Sequence, residues 1–152
     1  FNRAKDSVPN ICLGTDLLVG FPGETDVDFM KTCGTFQESQ PDYCHVFTFS
    51  ERKGTPVSKM DNQVPMDERH KRSAHLRALS SSKRFNFYKR QEGILSHVLF
   101  EKPKNKSISG YSENYTKVVI HEQNQNLSDK ICDVELVKST PGFIQGKLAS
   151  NI

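Results

Sequence analysis

The chain is expected to join an α/β piece to an all-β piece: a βαβ unit, a basic connecting helix and a C-terminal five-stranded, OB-like β-barrel. Three observations lead there. Two strand-like apolar runs flank a helical period between residues 11 and 49. Residues 65–90 hold eight Lys/Arg against two Asp/Glu. From Gly93 onward the apolar period falls to two, with turn residues at short intervals. The segments are accordingly 1–64, 65–90 and 91–152.

Residues 11–20 become almost continuously apolar toward Val19, the pattern of a strand covered on both faces, as in a parallel sheet. Phe21-Pro22-Gly23-Glu24 interrupts the run. Thr25 then offers an N-cap with Asp28 three places on, so a helix should start there, burying Phe29, Cys33 and Phe36 on one stripe until Pro41-Asp42. Residues 43–49 are rich in β-formers and supply a second strand, parallel to the first through a right-handed crossover. Residues 50–64, with Gly54, Pro56, Asp61 and Asn62, read as a loop. Pro65 suits the first position of a helix that has Asp67 and Glu68 at its positive end and runs to about Arg90, with Leu76, Leu79 and Phe87 as its apolar stripe. Five short strands are expected over 94–101, 107–111, 115–121, 130–137 and 143–149.

Composition bounds the function. The chain has 152 residues, 35% of them hydrophobic and 26% charged, which places it among globular proteins with room for one ordinary domain or two small ones. It holds neither a long apolar run nor a signal-peptide pattern, which points to the cytoplasm. Cys12, Cys33, Cys44 and Cys132 lie too far apart for a CxxC-type cluster, so they are expected to be reduced, buried hydrophobes and no metal site is expected. The net charge of +3 is concentrated in residues 65–90, which alone carry +6 and suit contact with a polyanion.

Two blocks carry a family likeness. Asp16-Leu17-Leu18-Val19-Gly20-Phe21-Pro22-Gly23-Glu24-Thr25 and Val46-Phe47-Thr48-Phe49-Ser50-Glu51-Arg52-Lys53-Gly54-Thr55-Pro56 resemble stretches of the radical S-adenosylmethionine (SAM) methylthiotransferases of the MiaB, MtaB and RimO group. Val98-Leu99-Phe100-Glu101, Ser109-Gly110-Tyr111 and Asn114-Tyr115 with Val118 resemble the TRAM module that closes those proteins. The resemblance implies the C-terminal part of such an enzyme: the end of a TIM-like barrel, then a TRAM β-barrel. Phe47-Thr48-Phe49-Ser50-Glu51-Arg52 with Asp61-Asn62-Gln63-Val64-Pro65 is most similar to the MtaB branch, which adds a 2-methylthio group to threonylcarbamoyl-adenosine beside the anticodon. MiaB, acting on isopentenyl-adenosine, shares much of that block.

The family's cofactors are SAM and [4Fe–4S] clusters. For SAM the resemblance points to the turn after the first strand, where Gly20 and Gly23 admit close backbone approach beside Glu24, Leu18 and Val19 offer an apolar wall, and backbone at Val46 and Phe47 addresses the adenine edge. A plain helix-initiating turn is the other reading. A cluster needs CxxxCxxC, which this sequence lacks, so the chain alone is expected to be inert. The implied partner is a tRNA anticodon stem-loop, met by Lys83, Arg84, Lys89 and Arg90 of the helix and by Lys106, Tyr111, Tyr115, Lys117 and His121 of the barrel, cations on phosphates and rings on bases. A stand-alone RNA-binding module, or a RimO-like module serving a ribosomal protein, are the competing readings.

Overall fold

The computed structural model describes residues 1–101, 107–121 and 127–149. These fall into two compact units, one built on Leu13–Lys83 and the other on Asn2–Cys12 with the chain from Arg84 onward. The basic segment is one helix, divided between the units near its last two turns.

In the first unit, β1 (Gly14–Val19) and β2 (Tyr43–Thr48) pair in parallel, from Gly14 beside Tyr43 to Val19 beside Thr48. Helix α2 (Asp26–Glu38) crosses between them. It begins on a complete capping box, in which Thr25 Oγ1 accepts from the Asp28 N–H and Asp28 accepts from the Thr25 N–H. Its stripe is Phe29, Cys33 and Phe36, packed with Val19, Cys44 and Leu76 in one core. The next helix, α3 (Met66–Arg90), lies on the same side of the sheet. Ser80 on it accepts from the Cys44 N–H and donates to the Cys44 carbonyl, each at 2.9 Å, so a buried hydroxyl serves backbone groups on the free edge of β2. The loop 50–64 contains one 3-10 turn, Pro56–Lys59.

The second unit is a closed barrel of β3 (Leu95–Phe100), β4 (Ile108–Ser112), β5 (Lys117–Ile120), β6 (Ile131–Thr140) and β7 (Phe143–Leu148), in the order β3-β4-β5-β7-β6. Every pairing is antiparallel except β5 with β7, the arrangement of an OB-like barrel. Alternate residues fill it: Val98, Phe100, Ile108, Val118, Ile120, Val134, Leu136 and Ile144 form the core, and Phe87 and Tyr88 from the end of α3 join them. Burial pushes the Tyr88 hydroxyl above its ordinary pKa. A short helix, α1 (Asn2–Ser7), buries none of its residues; downstream of it Cys12 packs against the barrel core. No disulfide joins the four cysteines; Cys33 and Cys44 are buried, and Cys12 and Cys132 half-buried.

Gly110 allows β4 to close on β3, because a Cβ there would stand 2.3 Å from the Leu99 carbonyl oxygen. Gly34, on α2, has nothing within 4 Å of its missing Cβ. Thermal unfolding should therefore separate them: Gly110→Ala destabilises by roughly 1–3 kcal/mol or more, whereas Gly34→Ala stabilises by roughly 0.5–1 kcal/mol.

Just past α3, the Glu92 carboxylate accepts from both the N–H and the hydroxyl of Ser139 on β6. Those bonds hold its pKa below the ordinary Glu value. A depressed folded pKa gives stability that is present above the unfolded value and lost as pH falls through the folded one. From about pH 5 to about pH 3 the wild-type melting temperature should fall more steeply than that of Glu92→Gln.

Candidate cofactor and nucleic-acid sites

The turn after β1 is built around one carboxylate. Glu24 Oε2 accepts from the Gly20 N–H at 2.5 Å and from Arg72 Nη1 at 2.9 Å. Arg72, only 4% exposed, also donates to the Glu24 carbonyl (3.0 Å) and to Asp26 (2.6 Å), and its guanidinium lies 5.4 Å from the Phe29 ring centroid. Burial alone would lower the Arg72 pKa, but the bonds to Glu24 and Asp26 outweigh it and raise it. One turn earlier Arg69, 2% exposed, donates to the carbonyls of Val64 (2.7 Å) and Phe49 (3.1 Å) and to Glu51 (2.5 Å). That guanidinium holds the Glu51 carboxyl below its usual range. Two arginines on one helix face thus fasten the loops that leave the C-terminal ends of both parallel strands.

Arg69 and Arg72, two of the eight basic residues of 65–90, are thus buried. Arg69 and Arg72 fall at i and i+3 of the stripe that continues through Ser73, Leu76 and Ser80. Charge in phase with an apolar period was the available sign that these two face inward. Lys71 pairs with Asp67 and Glu68 at 3.5 and 3.6 Å. The Lys83 ammonium donates to the carbonyls of Phe36, Gln37 and Ser39 at 2.9, 3.1 and 2.8 Å, capping the end of α2.

The proposed SAM residues separate by face. Leu18 and Phe47 are register partners, 50% and 54% exposed, on the sheet surface opposite the helices, and Asp16 and His45 pair beside them. The side chains of Val19 and Val46 point the other way, into the core. Gly23 (φ 86°) has open space where its Cβ would be, but a Cβ on Gly20 (φ 78°) would meet Arg69 Cγ at 2.4 Å. Leu18 and Phe47 thus present exposed apolar surface, and Gly23 leaves open space beside its backbone. The Glu24 carboxylate and the Gly20 N–H are spent on each other, so Gly20 reads as a packing glycine.

In the second unit Arg84 is half-buried, while Lys89 and Arg90 are exposed, each beside a ring of its own helix: Phe85 at 5.3 Å and Phe87 at 5.5 Å. Lys117 is the register partner of Tyr111, and the rings of Tyr111 and Tyr115 stand 6.3 Å apart. His121 is exposed just beyond the far end of β5. Lys106 lies outside the described residues. Among the described residues no group of three or more His, Cys, Asp or Glu is placed to hold a metal ion, and no helix is long and apolar enough to cross a membrane.

Removing the Arg72 guanidinium strands Glu24 in a site where it is largely shielded. Arg72→Met should cost about 3–5 kcal/mol in chemical denaturation. Adding Glu24→Gln should recover part of that, giving a favourable coupling energy in the double-mutant cycle.

No protein-family model matches the chain. Curated relatives do. The chain is 32% identical over 146 residues to a tRNA-2-methylthio-N(6)-dimethylallyladenosine synthase of Aquifex aeolicus, and 34% identical over 149 residues to one of Clostridium tetani; each match covers 96% of this chain and 33% of the relative. It is 30% identical over 151 residues to the threonylcarbamoyladenosine tRNA methylthiotransferase MtaB of Bacillus subtilis, again with 96% and 33% covered. The chain thus spans about a third of the length of the curated relatives it matches. With both units inside every one of these alignments, the chain belongs to the MiaB/MtaB-type tRNA methylthiotransferases and corresponds to their C-terminal part.

Proposed function

We propose that this chain serves an enzyme that adds a methylthio group to an adenosine next to a tRNA anticodon, supplying part of the SAM pocket and part of the tRNA contact. The observation that carries the reading is an identity of 30–34% sustained over 96% of the chain with proteins named for that activity. SAM and [4Fe–4S] clusters would supply radical chemistry, using cysteines that the 152 residues do not contain, so the chain by itself is inert by this reading. Its own share is binding. Leu18 and Phe47 form an apolar wall, Gly23 leaves room for close approach, and Arg69 and Arg72 hold the flanking loops in place.

For the nucleoside we propose threonylcarbamoyl-adenosine, on the MtaB-like run from Phe47 to Arg52 with Asp61 to Pro65. The dimethylallyl-adenosine reading is favoured by a different observation, the slightly higher identity to the two synthases of that type. Expressing the full-length protein in a host lacking both activities, and identifying the methylthiolated nucleoside by mass spectrometry, decides between them.

For tRNA we propose contact through the last two turns of α3, at half-buried Arg84 and exposed Lys89 and Arg90, extended on the barrel by Lys117 and His121. The chain should bind an anticodon stem-loop with an affinity that falls steeply as salt rises. Replacing Arg84, Lys89 and Arg90 together by Gln should reduce the slope of log K against log salt by about two to three. An unchanged slope, measured by fluorescence anisotropy, would remove these residues from the contact.

A further inference from the structure

The outer surface of the barrel bears a groove of about 680 Å³, lined in part by Tyr111 and Tyr115, the two rings that the family resemblance offers to RNA bases. Its floor is a row across three strands, because Leu99 on β3 is the register partner of both Tyr111 on β4 and Ile131 on β6. Leu99 is 51% exposed and Ile131 71%, so a continuous apolar strip faces water. Tyr115 stands at the end of the strip, 80% exposed.

Tyr115 is held out by construction. Its backbone is left-handed (φ 60°), a conformation that an aromatic residue adopts rarely and at a cost. Asn114 fixes it: the Asn114 side-chain oxygen accepts from the hydroxyls of Ser112 and Thr116, both at 2.7 Å, and its amide donates to Gln91 at 3.0 Å and to the Asn10 carbonyl at 2.9 Å. Strain of this kind, over-determined by its neighbours and spent on exposing a ring, marks a binding feature more than a packing one.

Charge selects the occupant. Among the described residues Glu101, Glu113 and Asp129 line the groove together with His97, whose Nδ1 lies 2.5 Å from Asp133 Oδ1, and no described Lys or Arg lines it. Three carboxylates beside an apolar strip repel the phosphates of an RNA strand. They favour instead a chain that brings cations on long apolar stems. We propose that this groove docks a basic polypeptide segment in which Lys or Arg alternates with aliphatic side chains. The cations pair with Glu101, Glu113 and Asp129 and stack on the Tyr111 and Tyr115 rings, and the aliphatic groups cover Leu99 and Ile131. The proposal goes beyond the methylthiotransferase reading: it reassigns Tyr111 and Tyr115 from RNA bases to a peptide and uses none of Arg84, Lys89, Arg90, Lys117 and His121.

Titrating the isotope-labelled 152-residue chain with three probes tests it by NMR: a pool of short Lys/Arg–Leu/Ile peptides, the matching Asp/Glu–Leu/Ile pool, and a short oligouridylate. The basic pool should shift the amides of Leu99, Tyr111, Tyr115 and Ile131 saturably, and the acidic pool should leave them unmoved. Combining Glu101→Gln, Glu113→Gln and Asp129→Asn should weaken the basic pool by about tenfold or more, and Tyr115→Asn, which tolerates the left-handed backbone, should weaken it severalfold with the unfolding transition kept. The proposal is overturned if the basic pool leaves those amides in place at millimolar concentration, if both peptide pools act alike, or if oligouridylate shifts them and the basic pool does not. None of these outcomes bears on the salt slope of the stem-loop, so the two readings fail separately.

Discussion

Arg69 and Arg72 sit at the helix-facing side of a two-stranded sheet, and the first unit is organised around what those guanidinium groups need. Each is taken out of water, which is unfavourable unless its donors find acceptors; the Nη donors do, while Arg72 Nε makes no hydrogen bond among the described residues and has Glu68 Oε1 at 3.4 Å. The acceptors come from loops: the Phe21–Thr25 region for Arg72, the loop after β2 for Arg69. Segments that would otherwise sample many conformations at the C-terminal ends of parallel strands are thereby held by bonds to one rigid helix. In α/β architectures ligands gather at that end of the strands, so the bonds to these arginines shape the surface to which we assign the cofactor in our proposal. The glycine at position 20 follows from it, because the Arg69 side chain fills the space where a Cβ would go.

The barrel depends on a different constraint, closure without a free edge. Side chains alternate between core and surface, β3 along its whole length and β6 with a register shift between Leu136 and Lys138, and Gly110 lets two backbones approach. The inward positions are then filled by aliphatic groups and Phe100, joined by two aromatic residues from α3. What remains outside is free to be functional, and the outer residues of β3, β4 and β6 have taken an apolar and acidic character that differs from that of the helix end in the same unit.

The fold was largely legible because its signals are local. The Thr25–Asp28 capping box, the Phe29, Cys33 and Phe36 stripe and the period-two runs after Gly93 are each readable within a dozen residues, and each lies where the periodicities put it. Helix α1 escaped notice because it is six residues long and buries nothing, so no periodic pattern marks it. The site was less legible. Which cations are free is a three-dimensional question: Lys83 and Lys89 look alike in sequence, yet one caps α2 and the other faces solvent. Val19 and Leu18 are neighbours of similar chemistry that the pleat sends to opposite faces. The carboxylates beside Tyr111 and Tyr115 come from three separate segments, and only the closed barrel brings them together.

At Tyr115 the conformational expense is met by Asn114, Ser112 and Thr116 and owes nothing to the phenol itself. Shape and chemistry are decoupled at that position. A lineage can exchange the displayed group for another without redesigning its pedestal, so the preference of this surface is able to drift while the barrel beneath it stays the same.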